Sequence, residues 1–504
     1  MSDVRAPAPP AQSILGEASE GAVEAPSDDT IPAMDLCFTP ATRLAALIRQ
    51  RKVSPLEVTQ AVLAQIERVN PKVNAYCTVA AESALSDARK ATAAVTRRSA
   101  RLGTLHGVPV SIKDLTPTKG IRTTWGSTIY EDHVPTEDGL VVERLRAAGA
   151  IVVGKTNTPE FGAGANTRNA VFGSTRNPWN LALTCGGSTG GGAVALATGM
   201  GPLAQGSDLG GSLRIPAAFC GVVGLRPSPG LVPVYPLPLA WDSYGVQGPM
   251  ARTVADIALM LSAIAGPDPR SPISYPVDAD TFGAAVKRPS ARGLRVAWGG
   301  NLDVTPVDDE VLRIARDAMT VFRKLGARVT DEHPDFGGLP EVVRISRGAR
   351  MVGLHEEKLP KWRDVMQENL VRNIDDGLTL TASDIGRGER QRSVLSARMR
   401  EFFERYDVIA TPTVAVPPFP VETWHPTEIN GQPMASYVSW VMLTYAFTIV
   451  GLPAISVPCG FTRAGLPVGL QLAGRWHDEP TVLRAAAAFE AAAPWADRRP
   501  PVLS

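Results

Sequence analysis

Residues 105–115 read LHGVPVSIKDL, and residues 142–153 read VERLRAAGAIVV. Alternation along an extended chain puts Ser111 and Lys113 on one side of the first stretch and Val108, Val110 and Ile112 on the other. In the second, a helical run leads straight into the apolar residues Ile151, Val152 and Val153. Short Val/Ile-rich strands alternating with helices predict an α/β fold with a mixed, largely parallel central sheet covered by helices on both faces.

The flanking sequence extends this pattern. TPATRLAALIRQ opens a helix with Thr39 as its cap, and SPLEVTQAVLAQIERV opens another with Ser54 as cap and Pro55 at the first helical position. ESALSDARKATAAV, GGAVALATG, ARTVADIALMLSAIAG and VLRIARDAMTVFRKLG read as further helices, and residues 340–405 as charged helices. GLRVAWGG, ARVTDE, DVIATPTVAVP and AISVPCGF read as strands. Residues 1–35, rich in Pro, Ala, Ser and acidic residues, read as a flexible tail, and residues 36–504 as a single domain.

Bulk properties exclude several function classes. With 44% hydrophobic residues, 20% charged residues and a formal net charge of +1, the chain of 504 residues carries neither a nucleic-acid footprint nor a polybasic membrane anchor. It has no apolar run of the ~20 residues needed to span a bilayer, and its five cysteines are odd in number, widely spaced and free of CxxC pairs. A cytoplasmic, reducing setting is the expectation. The six histidines are scattered, HExxH is absent and His355-Glu356-Glu357 lacks a second histidine, so neither a metal nor another cofactor is expected.

Three segments carry chemistry. Lys113 closes an apolar strand, and burial there would disfavour its ammonium form and make it a base. CGGSTGGGAVALATG, from Cys185 to Gly199, is a glycine-rich turn opening a helix. A phosphate-binding reading fails because no Lys-Ser/Thr follows the glycines, and the GxGxxA match from Gly199 to Ala204 follows a helix and contains Pro202. Gly186-Gly187-Ser188-Thr189-Gly190 also satisfies GxSxG, which would make Ser188 the nucleophile of an α/β-hydrolase with a His drawn from His333, His355, His425 and His477. In GSDLGGSLRIPAAFCGVVGLRPS, Ser212 stands beside a row of backbone amides, Leu209, Gly210, Gly211 and Ser212 itself, suited to holding an oxyanion. Asp208 and Arg214 flank it as a bracing pair.

Taken together, GVPVSIKD, TNTPEFG with STRNPWN, GGSTGGG, GSDLGGSLRIPAAFCG and GLPAISVPCGFTRAGLPVGLQL resemble the amidase signature family from about Thr39 to Pro500. The resemblance implies hydrolysis of amide-type C–N bonds in which Lys113 takes a proton from Ser188, Ser188 relays one from Ser212, and an acyl-enzyme forms on Ser212. It further implies a cis peptide bond at Ser188, an oxyanion hole from Leu209 to Ser212 and substrate contact at the Gly162 backbone. Thr189 departs from the usual second serine, and Leu209 from a smaller residue. STRNPWNL and APWADRRPPVLS are similar to the aryl acylamidase, nylon-oligomer hydrolase and urethanase branch. Phe161, Tyr235 and Trp241, with Tyr244, Trp125, Trp424 and Trp440, are candidates for an apolar pocket taking anilides, carbamates or hydrophobic acyl amides. The partner is then a small-molecule amide, with a homodimer among the assemblies allowed. A glutaminase subunit of an amidotransferase is the alternative within the same family.

Overall fold

The structure, a computed structural model, describes residues 33–97 and 101–503. The expected tail, residues 1–35, lies outside this range except for its last three residues, which open a helix over Ala33–Phe38. Eleven strands form one sheet: β1 (Tyr76–Val79), β2 (Pro109–Lys113), β3 (Ile151–Thr156), β4 (Leu203–Asp208), β5 (Val223–Arg226), β6 (Val246–Ala251), β7 (Arg295–Trp298), β8 (Arg328–Asp331), β9 (Val408–Pro412), β10 (Ala454–Phe461) and β11 (Pro467–Gly474). Their order across the sheet is β1-β3-β2-β4-β6-β5-β10-β11-β9-β7-β8.

The expected mixed sheet is present, and its parallel ladders fall in two groups. β3, β2 and β4 run parallel on one flank, and β9, β7 and β8 on the other. Between them β4, β6, β5, β10, β11 and β9 pair antiparallel, which for β10 and β11 is what the short turn joining them requires. β6 was hidden in the sequence by Pro249, a residue that normally argues against a central strand. The structure explains its tolerance: the ladder to β5 covers only Met250 and Ala251, so Pro249 faces no paired backbone on that side.

Both faces of the sheet are apolar, by period-two alternation. Val110, Ile112, Val152, Leu203, Val296, Val408 and Leu472 join one core with the helices Val254–Ile264, Asp309–Lys324 and Glu479–Ala492. Their neighbours Ile151, Val153 and Ala204 join another core, with the helix Gly190–Ala197, and Ala297, Ile409 and Ala473 a third, with the helix Met442–Ile449. Ser54 and Glu57 form the capping box that starts the helix Pro55–Val73. Thr39 does not cap the preceding helix, Ala41–Arg49. Pro40 holds the cap position, and the Asp256 carboxylate accepts the free amides of Ala41 and Thr42 at 2.9 and 2.8 Å. A distant side chain thus replaces the local cap.

Candidate active site

β2 ends at Lys113, which lies between β3 and β4 and is 1% exposed. Its Nζ meets three hydroxyls: Ser188 Oγ at 2.7 Å, Thr189 Oγ1 at 3.0 Å and Ser207 Oγ at 3.0 Å. No carboxylate pairs with it among the described residues. Burial pushes its ammonium down to about 7, and the Asp208 charge opposes this only in part. Ser188 and Thr189 stand at the start of the helix Gly190–Ala197, and the Gly187-Ser188 peptide bond is cis. The rival elbow reading of Ser188 would need a histidine partner, but among the described residues no histidine bonds to it, and His355 packs on Phe161, ring centroids 4.8 Å apart.

Ser212 follows β4 on a turn that Asp208 organises. The buried Asp208 carboxylate accepts from Gly211 N at 2.8 Å, Leu213 N at 3.2 Å, and Arg214 Nε and Nη2 at 3.0 and 2.8 Å. Burial alone would raise its pKa, but Arg214, Arg226 and these hydrogen bonds outweigh that and hold it well below the usual carboxylate range. The expected bracing role of Asp208 and Arg214 is what the geometry displays. Gly211 sits at φ +111°, and a Cβ there would lie 2.5 Å from Thr444 Oγ1, so only glycine fits this turn. With the Gly211 amide committed to Asp208, the amides of Leu209, Gly210 and Ser212 donate to no protein acceptor among the described residues. Thr189 N donates to Ser212 O at 3.1 Å, tying the two serine-bearing turns together.

Ser188 and Ser212 open on one cavity of about 130 Å³, walled by Leu115, Phe161, Leu237 and Met351. Gly162 also lines it, and a Cβ at that position would come within 3.5 Å of Ser188 Oγ. A buried lysine, a hydroxyl bonded to it, a second serine and unbonded amides around one cavity make an arrangement suited to acyl transfer.

The family model for amidases matches residues 57–483. The chain belongs to the amidase family. It is 40% identical to an acylamidase of Rhodococcus erythropolis over 473 residues, covering 92% of this chain and 98% of the relative. It is 36% identical to the A subunit of the glutamyl-tRNA(Gln) amidotransferase of Moorella thermoacetica, covering 93% and 99%. A solved bacterial aryl acylamidase of the amidase signature family superposes with a TM-score of 0.84 at 31% identity, covering 91% and 97%. The protein is therefore an amide-hydrolysing enzyme.

Not every residue expected at the site of this amidase is there. Phe161 and Gly162 line the cavity, whereas Tyr235 and Trp241 do not. Tyr235 is 40% exposed beneath the Arg270 guanidinium, and Trp241 is 76% exposed. Their neighbours Val234, Leu237 and Asp242 face inward instead, because the loop carrying them is irregular and follows no strand alternation. Trp440 is core, packed on Phe219 and Phe419, and Trp424 stacks on Arg168. Three features escaped the sequence: Ser207 as a third hydroxyl on Lys113, the Arg350–Asp242 pair at 2.7 Å in the cavity wall, and Gln247, whose buried carbonyl oxygen has no partner among the described residues. The register of β4 against β2 would have disclosed Ser207, but pairing is not written locally. No group of His, Cys, Asp or Glu among the described residues is placed to hold a metal ion, and no described helix is long and apolar enough to cross a membrane.

Proposed function

We propose that this amidase is a stand-alone hydrolase of acyl amides and anilides, using Ser212 as nucleophile, Ser188 as relay and Lys113 as base. The observation that carries this reading is the ring of three hydroxyls around a buried, carboxylate-free Lys113 Nζ. A neutral amine has two N–H donors and one lone pair. With the donors turned to Thr189 and Ser207, the lone pair faces Ser188 Oγ. Lys113 takes the Ser188 proton as Ser188 takes that of Ser212, and Ser212 Oγ adds to the carbonyl carbon. The oxyanion is held by the amides of Leu209, Gly210 and Ser212, with Gly211 serving to fix the loop. On collapse the C–N bond breaks, and the proton on Lys113 returns through Ser188 to the departing nitrogen. Water then follows the same route in reverse to cleave the acyl-enzyme.

The acyl group or aryl amine occupies the cavity lined by Leu115, Phe161 and Met351. Its relatives named acylamidase and aryl acylamidase support this substrate class over carbamates. Likeness to an amidotransferase component supports a second reading, glutamine hydrolysis inside a complex. The charged pair in the cavity weighs against it, since Arg350 and Asp242 already satisfy each other and Asp242 also accepts from Tyr244 and Gly245.

A fluorophosphonate probe is expected to label Ser212, and Ser212→Ala to lose labelling together with at least about 10⁴-fold in kcat on p-nitroanilides. Labelling at Ser188 would replace this mechanism with the elbow chemistry. Glutamine turnover that appears only with an added partner protein would replace the stand-alone reading.

A further inference from the structure

Ser212 lies at a junction. On one side is the cavity described above, in which the charges are already paired, and on the other a narrow cleft of about 30 Å³ between Gly210, Tyr437 and Arg347. That space admits about two water-sized groups, which is the size of a carboxylate. Beyond Arg347, Tyr437 and Val438 the cleft meets a much larger chamber of about 590 Å³.

Arg347 is unusual among the cations near the site. Its Nε donates to Asn373 Oδ1 at 2.8 Å and its Nη1 to Tyr445 OH at 2.9 Å, and the guanidinium lies 5.4 Å from the Tyr437 ring centroid. All these partners are neutral. Among the described residues no carboxylate comes within ion-pair distance of it, in contrast to Arg214 and Arg350, which are both paired. Glu341 of the outer chamber is held by Arg344 and Arg387. A half-buried guanidinium with only neutral partners keeps an uncompensated charge, and its planar fork is shaped for a carboxylate.

The geometry points to Arg347 as a specificity residue that binds a carboxylate carried by the substrate, so that this enzyme prefers acyl amides bearing an anionic group on the half that faces the narrow cleft. This rests on Ser212 being the attacking residue, since the cleft gains its meaning from that serine. The uncharged half of the substrate then lies in the cavity against Leu115, Phe161 and Met351, and one amide spans the junction.

Two substrate pairs test it. N-Glutaryl p-nitroanilide against its terminal carboxamide places the charge on the acyl side. N-Butyryl 4-aminobenzoate against butyranilide places it on the amine side. One pair is expected to show about 10- to 100-fold higher kcat/KM for the charged member, mostly through KM, in line with a charge-assisted hydrogen bond. Arg347→Gln should erase that preference and Arg347→Lys should keep part of it, and which pair responds identifies the half that faces the cleft. The purely structural alternative is that Arg347 merely braces Tyr445 against Gly210, where a Cβ would come within 2.3 Å of the ring. In that case Arg347→Gln lowers all four substrates alike, and the inference is overturned. It is equally overturned if neither pair shows a preference, or if the preference survives in Arg347→Gln. Calorimetric binding of N-glutaryl anilide to Ser212→Ala, compared with Ser212→Ala/Arg347→Gln, answers the same question without turnover, so failure of the Ser212 mechanism is distinguishable from failure of the carboxylate site.

Discussion

Two lysines lie side by side in this sheet and do different things. Lys113 ends β2 and Lys155 stands near the end of β3, its parallel neighbour, where Lys155 pairs with Ile112 and Lys113 with Thr156. Adjacent register positions send the two side chains to opposite faces. Both are fully buried, and burial pushes Lys113 down to about 7 and Lys155 to about 8, with Asp208 and Asp114 respectively pulling the other way. What separates them is the atoms their nitrogens meet. Lys155 donates to the Thr116 carbonyl, to Thr118 Oγ1 at 3.0 Å and to Thr123 Oγ1 at 2.8 Å, stitching the 116–123 loop to the sheet. A carbonyl only accepts, so Lys155 spends an N–H there. Lys113 meets three hydroxyls, and two of the residues that carry them, Ser188 and Ser207, line the cavity that holds Ser212. Burial lowers the pKa of both lysines, and only Lys113 has the exchangeable partner in a cavity that its proposed role as base requires.

Alanine at each position separates the two roles most widely. Lys113→Ala is expected to lose about 10²- to 10⁴-fold in kcat, the range of a general base, while circular dichroism shows the variant folded at the assay temperature. Lys155→Ala is expected to lose about 1–3 kcal/mol of stability, because the Thr116 carbonyl and the buried Thr118 and Thr123 hydroxyls lose the ammonium that ties them together, while kcat per folded molecule stays near parental. A folded Lys155→Ala as inactive as Lys113→Ala would break the comparison.

A smaller and graded effect comes from pH. Only neutral Lys113 accepts a proton, so kcat/KM should fall about tenfold per pH unit below the Lys113 value of about 7 and level off above it. Protonation of Lys155, which occurs at higher pH, should leave no step in that profile. Activity undiminished at pH 5 would remove Lys113 from the role of base.

The same pair marks how far the sequence could be read. The rule that drew attention to Lys113, a lysine closing an apolar strand, applies equally to Lys155 after Ile151, Val152 and Val153. Local pattern locates buried lysines without ranking them. The ranking lay in resemblance to a family and in contacts between segments distant in sequence, such as Ser207 and Thr189 against Lys113. The β2 alternation and the Ser54 capping box were legible because their causes are local. Tyr235 and Trp241 misled because aromatic composition says nothing of direction in an irregular loop. Arg347 comes from the helix Leu339–His355, far in sequence from Tyr437 and Tyr445, and no local pattern announces that they meet.

The smallest effect is the most direct measure of charge state. An unfolded lysine titrates near ~10.4, so between the folded and unfolded values the unfolded chain binds more protons than the native one. Stability therefore rises with pH across that window and is lowest where the lysine is charged in both states. The window runs from about 7 upward for Lys113 and from about 8 upward for Lys155. Lys113→Met and Lys155→Met each remove one such contribution. As pH falls from 10 towards 7, urea midpoints of the parent should drop relative to both variants, and the shift relative to Lys113→Met should continue about one unit lower than that relative to Lys155→Met. Midpoint differences independent of pH would mean that both lysines keep their protons in the fold, and a Lys113 that stays charged could not deprotonate Ser188.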